Sequence, residues 1–145
     1  IRLPRLIAKV MAMFPNQEEI LSIAGNIPSI ELKIDELKIT LAIRNLIDNA
    51  QKYAFSGEKI QLSIAADTDR VLIHVKDFGP GISAENMEKI TTPFYRIIEK
   101  GENKRPGFGL GLTICKKIIE SHNGSLSISS EIGNGSTFSL MLPLN

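Results

Sequence analysis

Apolar residues recur with helical spacing in three segments of the chain. The first, Leu3–Phe14, is ended by Pro15, because proline cannot continue a helix beyond its first turn. The second, Asp35–Ala54, begins at a favoured N-cap residue. The third is Leu110–His122, and a shorter helix is expected at Ser83–Ile90. The pattern therefore predicts a long helix at Asp35–Ala54, a further helix at Leu110–His122 and two short helices.

Alternation of apolar and polar residues predicts strands at Ile60–Ile64 and Val71–Val75. Further strands are predicted beside turn residues at Ile20–Ala24, Ile30–Ile34, Ser125–Ser130 and Ser136–Leu142. Tight turns are expected at Asp67–Arg70 and Gly133–Gly135. Strands and helices in this order predict an α+β domain with a mixed sheet, and residues 1–145 are one domain's length.

Composition narrows the classes of protein. The chain is 43% hydrophobic and 23% charged with a net charge of +1, so no nucleic-acid partner is expected. No apolar run is long enough to span a bilayer, and no signal peptide is recognised. The one cysteine, Cys115, falls in a helical apolar pattern and is expected to be buried. A cytoplasmic setting is expected, and a start at Ile1 suggests a fragment.

The helix Asp35–Ala54 has two faces. One is an apolar stripe for the core. On the other, Asn45, Asn49 and Lys52 follow one another at one-turn spacing, with Tyr53 at the edge. Amide oxygens beside a cation suit a hydrated Mg²⁺ near phosphates. The alternative is an ordinary solvated helix face.

The strand Val71–Val75 carries its inward face onto Asp77, so a carboxylate is expected at the end of a buried strand face. An inward carboxylate needs a donor, and the exocyclic amine of a base would serve. Gly79 and Gly81 would let the backbone approach a flat ligand. Ser136, inward on its own strand, could help to hold the base. The alternatives are a plain Asp-Gly turn and a strand-entry serine.

Residues 91–108 are polar and aperiodic, and a loop of that length in a small domain is usually functional or disordered. It runs into Gly107-Phe108-Gly109-Leu110-Gly111-Leu112 at the start of a helix. Free N–H groups at a helix N-terminus bind anions, and glycines let phosphates approach. The segment lacks the strand of a Rossmann motif and the Gly-Lys-Ser/Thr of a P-loop.

Four segments, in this order, resemble the sequence boxes of sensor histidine kinases: Asn45–Ala50 with Lys52 and Tyr53 (N box), Asp77–Ile82 (G1), Pro93–Arg96 (F) and Gly107–Leu112 (G2). The resemblance covers nearly the whole chain. It implies the two-layer α/β sandwich called the Bergerat fold, with a mixed sheet on about three helices and ATP under a lid at about residues 95–108.

The resemblance also implies residue roles. Asn49 and Asn45 would hold Mg²⁺, Lys52 would reach the phosphates and Tyr53 would flank the nucleotide. Asp77 would accept from the adenine amine, and Gly81 would give the base room. The phosphates would be bound by residues in the lid and at its two ends: Arg96, Gly107, Gly109, Gly111 and either Lys104 or Arg105. Further ATP contacts would be Gly79, Ile82, Phe94, Phe108, Leu110, Leu112 and Ser136.

The implied function is transfer of the γ-phosphoryl group of ATP to a histidine on a separate dimerisation hairpin, which is expected to be absent from residues 1–145. Asn45, Lys52 and Arg96 would be the catalytic residues. The implied partners are that hairpin and a response-regulator receiver domain, with a monomeric fragment and a homodimeric parent protein. His74 and His122 are expected to be structural or solvent-exposed rather than phosphoacceptors.

Three other classes of protein share some of these features. In a eukaryotic-type protein kinase the glycine loop precedes Asp-Phe-Gly and a His-Arg-Asp loop is present, which excludes that class. Related ATPases and serine kinases of the same fold generally carry Glu where this chain has Asn45, and Glu can act as a general base whereas Asn cannot. A nucleotide-binding pseudokinase module is the third alternative.

Overall fold

A computed structural model describes residues 1–53, 57–87 and 108–144. The elements, in chain order, are helices α1 (Leu3–Ala12) and α2 (Gln17–Ile20), strand β1 (Leu21–Ala24), helix α3 (Glu36–Tyr53), strands β2 (Ile60–Ala66) and β3 (Arg70–Asp77), helices α4 (Ala84–Met87) and α5 (Phe108–Ser121), and strands β4 (Ser125–Glu131) and β5 (Gly135–Pro143). None of the helices within these ranges is long and apolar enough to cross a membrane.

The strands form one five-stranded sheet in the order β1-β2-β3-β5-β4. The β1 and β2 strands pair in parallel, and every other neighbouring pair is antiparallel. The helices α1, α3 and α5 cover one face, where the apolar side chains of the strands and of these helices form a single buried cluster. This mixed sheet with helices on one face confirms the predicted α+β fold class.

The inner face of the sheet follows the predicted alternation. Val71, Ile73 and Val75 of β3 are buried, and so are Phe138 and Leu140 of β5. Residues between them face the other side of the sheet, where His74 places Nδ1 2.7 Å from Ser139 Oγ. The period-two reading of these strands therefore identified the core face correctly.

The cap predicted for α3 is present, and α5 reinforces it. Asp35 Oδ1 accepts the N–H of Lys38 at 3.1 Å, which satisfies a free donor of the first turn. The N–H of Asp35 in turn donates to His122 Nε2 at 3.0 Å, while Nδ1 of the same ring lies 2.9 Å from the carbonyl of Ile118. His122 is therefore the neutral tautomer with hydrogen on Nδ1, and it ties the end of α5 to the start of α3.

Replacing His122 with alanine is expected to lower the free energy of unfolding by about 0.5–1.5 kcal/mol, because both ring hydrogen bonds are lost. His74→Ala is the matched control, since that ring has one side-chain partner on the open face of the sheet. Urea unfolding of both variants checks this. A loss at His74 equal to that at His122 would contradict the proposed tie between α3 and α5.

One predicted strand is absent, and one short helix was not predicted. Ile30–Ile34 forms no strand; it is an extended segment held to the start of α1, with Leu32 N–H donating to the carbonyl of Ile1 and Leu3 N–H to that of Ile30. Its alternating pattern reflects partial burial against α1, not membership of the sheet. The helix α2 was missed, because four residues are too short for a helical period to be visible.

The turn at Asp67 and the burial of Cys115 were predicted correctly. Asp67 Oδ1 accepts the N–H groups of Asp69 and Arg70, which closes the β2–β3 hairpin and lowers the pKa of the Asp67 carboxyl. Cys115 is fully buried, and burial raises the pKa of its thiol to about 12, so it packs rather than reacts.

Candidate functional site

Three polar side chains form a row across the sheet where the apolar inner face ends. Asp77, the last residue of β3, lies opposite Ser136 of β5, and Ser136 lies opposite Ser130 of β4. The next inward pair along β3 and β5 is apolar, Val75 opposite Phe138. The row is therefore a polar border of the core, formed by three neighbouring strands.

Asp77 carries the single charge of this three-residue border, and only 2% of the residue's surface is exposed. Its Oδ1 atom accepts the N–H groups of Gly79 at 3.0 Å and of Ser136 at 3.2 Å. Burial raises the pKa of Asp77 by more than these two donors lower it. No residue in the described ranges donates to Oδ2, so this oxygen has the capacity to accept a further hydrogen bond.

The loop after Asp77 packs closely against the turn between β4 and β5. Gly81 has a φ of +80°, and a Cβ on it would stand 2.2 Å from the carbonyl oxygen of Glu131. A Cβ on Gly135 would stand 2.1 Å from the carbonyl oxygen of Asp77. The N–H of Gly133 also donates to the carbonyl of Pro80 at 2.8 Å. The absent side chain of Gly81 thus makes room for Glu131, a contact that the sequence analysis did not foresee.

Ser130 was missed as a site residue. Its Oγ lies 2.7 Å from the N–H of Ile82 and 2.7 Å from Ser136 Oγ, so it joins two residues that the sequence did predict. A signal was available, because Ser130 continues the inward alternation of Leu126 and Ile128 on β4. The structure thus brings together Asp77, Gly79, Gly81, Ile82, Ser130 and Ser136.

On α3, Asn45 is half-buried and Asn49 is 8% exposed, one turn further along. The amide nitrogen Nδ2 of Asn49 has no hydrogen-bond partner in the described part of the protein. A buried amide left unpaired is costly, so this one is suited to a polar ligand. Lys52 and Tyr53 occupy the last turn of α3, but the positions of their side chains lie outside the described structure.

Helix α5 begins at Phe108, so Phe108, Gly109, Leu110 and Gly111 form its first turn. The Leu112 side chain is fully buried in the hydrophobic core and serves packing. The other predicted lid residues lie outside the described residues: Phe94, Arg96, Lys104, Arg105 and Gly107.

A mixed sheet with helices on one face and a buried carboxylate at the end of a central strand matches a known class of protein. The chain belongs to the family of histidine kinase-, DNA gyrase B- and HSP90-like ATPases, whose model matches residues 34–145. The segment 1–33 precedes that match, although Leu3, Leu6, Ile7 and Val10 of α1 are buried in the same core.

Within this family the similarity is to sensor histidine kinases. The chain is 39% identical over 101 residues to the sensor protein SrrB of Staphylococcus aureus, covering 70% of this chain and 17% of SrrB. The chain thus corresponds to about a sixth of that protein's length. The resemblance inferred from the four sequence boxes is thereby confirmed.

Solved structures of histidine kinases have the same fold as this chain. The catalytic domain of the histidine kinase ThkA, 28% identical, superposes with a TM-score of 0.81 over 99% of this chain and 93% of that one. The histidine kinase domain of the E. coli osmosensor EnvZ, also 28% identical, gives 0.75 over 100% and 88%. A mycobacterial sensor histidine kinase, MprB, shares the fold with a TM-score of 0.82 at 21% identity, over 99% and 96% of the two chains.

Proposed function

We propose that this domain binds ATP with Mg²⁺ and donates the γ-phosphoryl group to a histidine on a separate dimerisation domain of its parent protein. The observation that carries the proposal is the buried Asp77 carboxylate with one oxygen left to accept. An acceptor held at the end of an apolar strand face suits an exocyclic amine on a flat base. The family of ATPases to which the chain belongs makes adenine the expected base.

The residues of α3 fit a bound Mg²⁺. Asn45 and Asn49 offer amide oxygens one turn apart. Asn49 is buried, and its amide nitrogen, which has no partner among the described residues, can donate to a phosphate oxygen. When bound, Mg²⁺ would neutralise charge on the phosphates. In this proposal Lys52 also contacts the phosphates. Arg96, together with Lys104 or Arg105, would approach the phosphates from the lid.

The choice of a histidine kinase over an ATPase rests on Asn45. An amide cannot take a proton from water or a hydroxyl, so a site with Asn at this place holds ATP without a general base for hydrolysis. The phosphoryl group would then await an acceptor brought by another domain. A response-regulator receiver domain would be the next acceptor in a two-component pathway, and the similarity to SrrB, a sensor protein, supports this placement.

Nucleotide titration tests the binding half of the proposal. We expect calorimetry to show ADP binding to the 145-residue chain, with higher affinity when MgCl₂ is present, because a cation between Asn49 and the phosphates relieves their charge. Absence of binding in both conditions would contradict the proposed function. Equal affinity in both would contradict the role given to Asn45 and Asn49.

Incubation with γ-labelled ATP tests the transfer half. The chain alone is expected to gain no acid-labile label, because the His74 ring lies on the face of the sheet opposite to Asp77 and both ring nitrogens of His122 are held in hydrogen bonds. Label should appear on the parent protein's dimerisation domain when it is added in trans, and should vanish when the histidine of that domain is replaced by alanine. Label on His74 or His122 would contradict this assignment.

A further inference from the structure

The hydroxyl of Ser130 has three polar neighbours, and their chemistry fixes the direction of each hydrogen bond. A hydroxyl carries one hydrogen and two acceptor lone pairs. The carbonyl of Gly135, 3.1 Å away, can only accept, so it receives the Ser130 hydrogen. The N–H of Ile82, 2.7 Å away, can only donate, so it occupies one lone pair. All three contacts are made at once only when the remaining lone pair accepts the hydrogen of the Ser136 hydroxyl, 2.7 Å away.

This arrangement has a consequence for Ser136. Its hydroxyl hydrogen is committed to Ser130, and its backbone N–H is committed to Asp77 Oδ1. Towards any further partner, Ser136 Oγ therefore has only lone pairs to offer. Asp77 Oδ2 is likewise an acceptor when the carboxyl is ionised. The two neighbouring groups at the end of β3 and β5 thus present acceptors alone.

We propose that Ser130 is a positioning residue that determines base specificity, because it holds the hydroxyl of Ser136 in the accepting direction. The inference rests on the proposed nucleotide site, and it deepens that proposal by explaining how the site selects an amine over a keto oxygen. Adenine presents an exocyclic amine, which donates to this edge. Hypoxanthine presents a keto oxygen at the same place, which meets only lone pairs.

Ser130 also fixes the backbone of the loop that follows Asp77. The N–H of Ile82 would lose its acceptor if the hydroxyl were removed. Since Gly81 already packs against the backbone of Glu131, the residue next to Ser130, the loop and β4 are held together at two adjacent points. Ser130 therefore acts on the base through Ser136 and through the position of this loop, without touching the nucleotide itself.

The test compares ADP with IDP, which carries a keto oxygen in place of the amine and a hydrogen on the neighbouring ring nitrogen N1. Because both changes are present in every titration, the ratio of ADP to IDP affinity is compared between wild type and variants. The wild-type chain is expected to prefer ADP. In Ser130→Ala the hydroxyl of Ser136 is free to turn and donate, so ADP affinity should fall by about tenfold while IDP affinity is kept or rises. Ser130→Thr keeps a hydroxyl and should keep most of the ADP preference. Ser129→Ala, on the exposed side of the same strand, is the control and should behave as wild type.

The outcomes separate the inference from the proposed function. If the wild-type chain binds neither nucleotide, the proposed function itself fails. If it prefers ADP and Ser130→Ala keeps the same ratio of ADP to IDP affinity, Ser130 has only a structural role and this inference is overturned. If Ser130→Ala does not fold, Ser130→Cys asks the same question, since a thiol is a weak donor and acceptor of similar size.

Discussion

Asp77→Asn is expected to weaken ADP binding by about 1–3 kcal/mol while the free domain unfolds at the same temperature as wild type or above it. The binding loss follows because the ligand amine would lose a charged acceptor and meet a neutral amide instead. The N–H groups of Gly79 and Ser136 keep an acceptor, since the asparagine carbonyl oxygen can replace Oδ1. Calorimetry and thermal unfolding of the same samples check both parts.

The stability part follows from the direction of the pKa shift. Burial raises the pKa of Asp77, so the folded state binds the proton more tightly than the unfolded chain does. The ionised carboxylate therefore destabilises the fold above the raised pKa, and this penalty is absent below the ordinary pKa of aspartate. Asparagine carries no charge, so it removes the penalty at neutral pH.

Asp67→Asn is the matched control, because its carboxylate also accepts two backbone N–H groups. Those hydrogen bonds lower the pKa of Asp67, so its ionised form stabilises the fold above the ordinary pKa, and this stability is lost as the pH falls through the lowered value. We expect Asp67→Asn to lower the unfolding temperature slightly and to leave ADP affinity unchanged. If Asp77→Asn instead destabilised the domain and kept its ADP affinity, Asp77 would be a structural residue.

The raised pKa also predicts how binding depends on pH. The protonated carboxyl of Asp77 can no longer accept from the ligand amine at full strength. ADP affinity should therefore begin to fall at a higher pH than the ordinary titration range of aspartate. Calorimetric titrations over decreasing pH would show this, with Asp77→Asn as the reference that lacks the transition. An identical pH profile in both proteins would contradict the assignment.

The secondary structure of this domain could be predicted reliably where the hydrophobic pattern is long, and less reliably where it is short. Alternation along β3 placed Asp77 on the core side, since a strand's period fixes its faces over many residues. The same rule failed at Ile30–Ile34, because a short alternating segment can pack against a helix as well as join a sheet. The inward position of Ser130 could be predicted from the alternation along β4. Its contact with Ile82, and that of Gly81 with Glu131, join residues about 50 positions apart, and no local pattern encodes such contacts.

Gly81→Ala is expected to lower the free energy of unfolding by about 2–5 kcal/mol, through two separate effects. A side chain at a φ of +80° is strained by about 1–2 kcal/mol. The new Cβ would also stand 2.2 Å from the carbonyl oxygen of Glu131, where backbone must move, and overpacking of this kind adds about 1–3 kcal/mol. Because the loop after Asp77 would shift, ADP affinity should fall as well.

Gly133→Ala separates these two effects. Gly133 lies in the turn between β4 and β5 with a φ of +87°, and a Cβ there meets nothing within 4 Å. It should therefore carry the strain of positive φ alone, about 1–2 kcal/mol, and leave ADP affinity close to wild type. Urea unfolding and ADP titration of both variants measure the difference, which is the contribution of the contact between the loop and Glu131. Equal losses at Gly81 and Gly133 would mean that this contact does not shape the nucleotide site.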